Sequence, residues 1–213
     1  LVASYTKDAI QIIVENNLLP FVIFSMKMGT MKIEKHIENE NENEIEEENI
    51  KDDDTENNFF DVAVASLDCL REIASCGKKA TEILYEFDNQ FHIFTDIWNF
   101  MDDNNQINLI TAAIMTFLEI IKYSPIEDQN SLAESGLFEI LANYFEVLPQ
   151  VFLEKTLNNL KEIIKIADEE ANQKLLNTLL GSKSLMTKLE ELCNDEDEKQ
   201  LNSICFEILE RAK

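Results

Sequence analysis

The sequence predicts an all-α chain built as a right-handed α-solenoid of stacked three-helix repeats, and three observations carry that expectation. The first is a recurring spacing. Counting from Glu162, apolar residues stand five and two positions before it and one and two after it, at Leu157, Leu160, Ile163 and Ile164. The same offsets from Glu119 give Ile114, Phe117, Ile120 and Ile121, and from Glu72 they give Leu67, Leu70, Ile73 and Ala74. Each set lays a broad apolar stripe on a helix of 3.6 residues per turn. The second is the period: the anchors lie 47 and 43 residues apart, which suits helical units that each bury a face on the next. The third is composition. Four Gly and three Pro in 213 residues are too few for a turn-rich β chain, while 45% hydrophobic residues suffice for a continuous core.

Taken in order, residues 1–28 hold the end of one repeat, at 1–5, and the first two helices of the next. Thr6 is placed to cap a short helix carrying Ile10, Ile13 and Val14 as far as Asn16 and Asn17. Leu18-Leu19-Pro20 opens the second helix, with Pro20 in the first turn, where a missing N–H is tolerated. Phe21, Val22, Phe24 and Met26 are expected to form its apolar face. Residues 29–57 read as a disordered acidic insertion: 34–56 carry twelve acids against two lysines, about −10 of the net −24, with almost no apolar content to offset the self-repulsion. Such an insertion is tolerated because loop-closure entropy grows slowly with length.

Residues 58–77 supply the inner helix of this first repeat, through Val62, Val64, Leu67, Leu70 and Ile73, and Gly77 suits the left-handed position that ends a helix. Residues 78–124 form the second repeat: a helix at 79–87, a second helix at 91–101 with His92 and Trp98, a turn at 102–105 and an inner helix at 107–122. Ser124-Pro125 breaks it. Residues 125–167 form the third, with a short helix at 127–135, a bend at Gly136, a helix at 137–148 and an inner helix opened by Pro149. Residues 168–213 form a fourth, capping repeat: helices at 169–180, 184–193 and 201–212, with an acidic turn at 194–198. A terminal repeat must present a polar face to water, and Lys199, Glu207, Glu210 and Arg211 supply one.

Composition also sorts function classes. A net charge of −24 argues against nucleic acid as the main ligand, since phosphate binding needs clustered Lys and Arg, and it favours a basic protein partner. No apolar run approaches the roughly 20 residues that span a bilayer, so no membrane role is expected. Cys69, Cys76, Cys193 and Cys205 form no C-x-x-C pair and sit inside apolar helical patterns, which reads as small core residues in a reducing cytoplasmic or nuclear compartment. With two His, no nucleophile motif, no G-x-x-x-x-G-K-[ST] and no G-x-G-x-x-G, nothing points to an enzyme or a cofactor. The acidic turn Asp195-x-Asp197-x-Lys199-Gln200 puts Lys at a ligand position and Gln where a calcium loop needs Gly, so no metal is expected. His92 and Trp98 read as packing residues. The chain opens on Leu1 rather than Met and is read as a fragment.

Three stretches resemble the armadillo repeats of the importin-alpha family: Glu134-Ser135-Gly136-Leu137-Phe138-Glu139-Ile140-Leu141, Leu157-Asn158-Asn159-Leu160-Lys161-Glu162-Ile163-Ile164, and Met186-Thr187-Lys188-Leu189-Glu190-Glu191-Leu192 with the acidic turn after it. The resemblance covers 131–213 and is to that family's C-terminal repeats; the earlier units are similar to armadillo repeats in general. It implies a scaffold that binds partner segments on its concave face, with transport receptors among its partners. In that family, inner helices carry Trp and, four residues later, Asn, a ladder whose amides hold the backbone of a basic peptide. The matching pairs here are Asp68 with Glu72, Met115 with Glu119, and Asn158 with Glu162. A carboxylate accepts hydrogen bonds but cannot donate them to a peptide carbonyl, so the amide role is lost at three rungs.

The partner-binding candidates are therefore Asp68, Glu72, Met115, Glu119, Asn158 and Glu162, a row on the polar side of successive inner helices. The expected occupant is a basic segment of another protein, drawn by carboxylates that repel one another until a cation arrives. Two alternatives stand beside this scaffold: the C-terminal fragment of a nuclear-import adaptor, and an armadillo protein of a cytoskeletal or ciliary assembly.

Overall fold

The computed structural model describes residues 18–28, 53–102, 106–194 and 199–211, and every regular element among them is a helix. Helix α1 spans 19–28. It is followed by α2 (Asp53–Ala74), α3 (Lys78–Phe91), α4 (Ile93–Asp102), α5 (Ile107–Tyr123), α6 (Ile126–Glu134), α7 (Leu137–Tyr144), α8 (Gln150–Glu169), α9 (Gln173–Gly181), α10 (Lys183–Cys193) and α11 (Lys199–Arg211). The expected helix at 6–17, most of the acidic insertion and the turn at 195–198 lie outside the described residues. The insertion's last five residues do not belong to it: α2 begins at Asp53, five residues earlier than the sequence suggested.

The long helices form a series in which α2 packs on α5, α5 on α8, and α8 on α11. Shorter helices flank it, with α4 against α5, α7 against α10, and α6 against α9. All twelve apolar residues at the repeated offsets from Glu72, Glu119 and Glu162 are buried. Burying a Leu, Ile or Phe side chain contributes about 1.5–3 kcal/mol each, so these stripes supply much of the adhesion between neighbouring long helices. The central α5 is buried from Leu109 to Lys122 with Glu119 as the one exception, because α2 and α8 cover opposite sides of it.

Polar ties fix the relative positions. Thr116 of α5 donates through Oγ1 to the Leu67 carbonyl of α2 at 3.1 Å. Asn172 caps α9, its Oδ1 accepting from the Leu175 amide at 3.2 Å while its Nδ2 donates to Gln129 Oε1 of α6 at 2.8 Å. Gly136 turns the chain between α6 and α7 at φ 96°, left-handed backbone that suits Gly. Trp98 packs edge-on against Phe117, with ring centroids 5.9 Å apart.

Two sequence expectations need correction. On α1 the buried face is Leu19, Ile23 and Met26, whereas Phe21 and Phe24 stand 69% and 61% exposed. Nearly every position of that helix is apolar, so periodicity could not set its phase. His92 is not within the second helix of its unit. It is an exposed, left-handed residue at φ 53° that separates α3 from α4, stabilised where Asp88 Oδ1 accepts from the Phe94 amide at 2.8 Å.

Candidate functional site

The candidate row lies on the α2, α5 and α8 series, and the structure gives its members different surroundings. On α2, Asp68 and Glu72 are half-buried and share one cation: Arg71 Nη1 meets Asp68 Oδ1 at 2.7 Å and its Nη2 meets Glu72 Oε1 at 3.5 Å. Between α5 and α8 the arrangement recurs. Lys122 Nζ donates to Glu119 Oε2 at 2.8 Å on its own helix, and to Glu162 Oε2 at 2.9 Å and Asn159 Oδ1 at 3.0 Å on α8. Each pair of carboxylates holds one internal cation and keeps one negative charge in surplus.

Lys122 is 5% exposed at its side chain, against 61% for Glu162. Burial alone would lower its pKa; the hydrogen bonds it donates to Glu119 and Glu162, together with their charge, more than offset this and hold the ammonium above its ordinary range. The ion is thus firmly charged where a partner's cation was expected to enter. Arg71 and Lys122 were missed in the sequence reading, although each stands three residues after an acid, at Asp68 and Glu119, the spacing of neighbours on one helix face.

Met115 and Asn158 do not present the surface that their places in the row suggested. Met115 is buried, 6% exposed, and its Sδ accepts weakly from Thr156 Oγ1 at 3.7 Å and Asn159 Nδ2 at 4.0 Å. It is a packing contact between α5 and α8, sealed in because α5 is covered from both sides. Asn158 is exposed, but its Nδ2 donates to the Glu154 carbonyl of its own helix at 3.0 Å. The outer part of the row is therefore Asp68 with Glu72 at one end and Asn158 with Glu162 at the other.

No protein-family model and no curated protein matches this chain. The site is read from its own geometry.

Asn158 and Glu162 open into a groove of about 400 Å³ between α8 and α11, lined also by Lys161, Ile164, Lys165, Glu207, Ile208 and Arg211. A neighbouring cleft of about 440 Å³ shares Ile164 and Arg211 and runs toward α9. Across the groove Lys161 pairs closely with Glu207, and Arg211 Nη1 meets Asp168 Oδ2 at 2.6 Å. Lys165 reaches Glu169 only at 3.8 Å. The three cations that line the groove are thus each paired with a carboxylate, Glu207, Glu169 or Asp168, while Glu162 serves Lys122.

Other polar clusters are structural. Tyr85 and Ser124 share a 2.8 Å hydrogen bond, and Ser124 Oγ donates to the Ile120 carbonyl at 2.8 Å, which ties α3 to the end of α5. Burial pushes the Cys205 thiol up to about 12. Among the described residues, no group of three or more His, Cys, Asp or Glu is arranged to hold a metal ion, and no helix is long and apolar enough to cross a membrane.

Proposed function

We propose that the chain is a protein-interaction scaffold of the armadillo class, a right-handed α-solenoid of three-helix repeats that receives a basic segment of a partner protein on its concave face, in the cytoplasm or nucleus. The observation that carries this reading is the paired carboxylates, Asp68 with Glu72 and Glu119 with Glu162, each pair one negative charge in excess of its internal cation. The serial packing of α2, α5, α8 and α11, with anchors 47 and 43 residues apart in sequence on the first three, supports the architecture. So does the similarity of 131–213 to the C-terminal repeats of importin-alpha.

A partner Lys or Arg enters at Asp68 and Glu72, whose half-exposed carboxylates keep acceptor positions beyond those that Arg71 fills, and at the outward side of Glu162. Recognition is by charge. Carboxylates cannot hold a peptide backbone in register as donor amides do, and the one carboxamide in the row, Asn158, is bonded to its own helix. The adaptor reading has less support for that reason.

The test is a Lys-rich peptide titrated against wild type and Asp68→Asn/Glu72→Gln at low and moderate salt. The variant is expected to bind about tenfold more weakly, and wild-type affinity to fall with salt as rim electrostatics do. Equal affinity in both proteins, unchanged by salt, would discard the charge-guided scaffold.

A further inference from the structure

We propose that the open side of α2 receives a basic amphipathic helix of a partner protein, its apolar side seated on Val62, Ala65 and Cys69 and its Lys or Arg side chains paired with Asp68 and Glu72 alongside. This rests on reading Asp68 and Glu72 as an entry point for partner cations, and it deepens that reading by giving the partner segment a conformation.

The register of the long helices carries the inference. Moving 47 residues on, from Glu72 to Glu119, takes Val62, Ala65 and Cys69 to Leu109, Ala112 and Thr116. Those three are buried and stand on the side of α5 that meets α2, where Thr116 Oγ1 donates to the Leu67 carbonyl. Helix α8 does likewise: Asn159, 43 residues beyond Thr116, accepts from Lys122 of α5. Each of these later helices thus turns this face onto the long helix before it. On α2 the same face is open, with Val62 44% exposed, Ala65 exposed and Cys69 half-buried. A face that packs on a helix at the next joints is shaped for a helix here as well.

Charge selects the occupant. Asp61, Asp68 and Glu72 run beside the apolar row at i, i+7 and i+11, and Arg71 is shared by two of them, so three carboxylates meet one guanidinium. The two rows adjoin: burial first, and the neighbouring Glu72 charge second, raise the Cys69 thiol pKa. A second copy of the chain would bring the same acids against themselves. Residues 1–17 offer Lys7 against Asp8 and Glu15, a poor match for an acidic row. A basic amphipathic helix satisfies both rows at once.

The experiment uses two labelled peptides of about five helical turns and the same Lys, Leu and Ala composition, followed by fluorescence anisotropy. One places Leu every third or fourth residue; the other is shuffled so that no helix face is apolar. Each is titrated with wild type, with Val62→Ser/Ala65→Gln, and with Asp68→Asn/Glu72→Gln. Val62 and Ala65 are exposed, so replacing them spares the core. The patterned peptide is expected to bind wild type about tenfold more tightly than the shuffled one, to gain helical circular dichroism when bound, and to weaken roughly tenfold in each variant. Equal binding of the two peptides, or a patterned peptide indifferent to Val62→Ser/Ala65→Gln, overturns the helix; a shared loss in Asp68→Asn/Glu72→Gln would then leave the basic segment standing. No loss in Asp68→Asn/Glu72→Gln for either peptide overturns the basic partner itself. A wild-type dimer that Val62→Ser/Ala65→Gln disperses gives the face to a second copy and overturns the proposal. So does tighter peptide binding by Ile10→Ser/Ile13→Ser, which gives the face to the chain's own first 17 residues.

Discussion

Lys122 of α5 donates to Glu162 of α8 at 2.9 Å, and the same ammonium is held at 2.8 Å by Glu119 of its own helix. One buried cation thus joins two long helices and keeps Glu119, itself largely covered, from being an unpaired buried charge. Removing the cation leaves that cost exposed. Lys122→Met is expected to destabilise the fold by about 3 kcal/mol in urea unfolding, because a buried ion pair is most costly when one partner is lost. Adding Glu119→Gln should restore much of the loss. A single variant as stable as wild type would mean that solvent reaches the ion freely.

The pH dependence of that pair has a definite sign. The folded-state pKa of Lys122 is raised above the ordinary lysine value of 10.5. Its contribution is therefore complete below that value and is lost as pH rises through the folded-state pKa. Wild type should keep its stability advantage over Lys122→Met from neutral pH up to about 10.5 and lose it in more alkaline solution. An advantage that shrank on acidification toward neutrality would contradict the assignment.

How far the sequence could be read depended on how much contrast each segment offered. On α8, apolar and charged residues alternate sharply, and Leu157, Leu160, Ile163 and Ile164 are buried while Lys161, Glu162 and Lys165 are exposed. On α1, where Leu19, Phe21, Val22, Ile23, Phe24 and Met26 crowd one helix, the stripe has no edge: of the four residues expected to face inward, Val22 and Met26 do and Phe21 and Phe24 do not. The carboxylate row was legible as a set of positions, but its charge state was not, because Lys122 reaches Glu162 only through the offset at which α5 meets α8. The groove was hidden for the same reason: Lys161 and Arg211 are 50 residues apart in sequence. His92 gave no signal either, since left-handed backbone at a residue other than Gly is uncommon.

Two glycines should respond to substitution in opposite directions. Gly136 adopts φ 96°, and a methyl group there would meet nothing closer than Glu139 Oε2 at 4.0 Å. The strain of Gly136→Ala is therefore conformational, about 1–2 kcal/mol, without a clash. Gly181 ends α9 with open space around its Cα. Gly181→Ala should stabilise by about 0.5 kcal/mol through lost unfolded-state freedom. Thermal denaturation separates them, and a stabilising Gly136→Ala would refute the left-handed bend.

Cys205 should resist thiol reagents in the native chain. Burial, with Cys193 nearby, lifts its pKa from 9.0 to about 12, and alkylation needs the thiolate. Mass spectrometry after iodoacetamide at about pH 8 should find Cys205 unmodified in the native protein and modified in denaturant. Rapid native labelling would mean that α11 opens from the helices beneath it.

Leu160 tests the stacking itself. It is fully buried at the middle of α8, the helix that meets α5 on one side and α11 on the other. Replacing it by Ala removes a methyl cluster from the joint between those helices, and the neighbours are tied by Lys122 and Thr156, so they cannot move in freely to fill the gap. The expected cost is about 2–5 kcal/mol, toward the upper end because a joint that cannot collapse keeps its cavity. The loss should show as a lower midpoint in urea with an unchanged slope if the series unfolds as one unit. A flatter slope, or a separate early transition, would mean that α8 with α11 can release from α2 with α5. A change below about 0.5 kcal/mol would mean that the register of α8 is misassigned, since surface substitutions fall in that range and buried leucines do not.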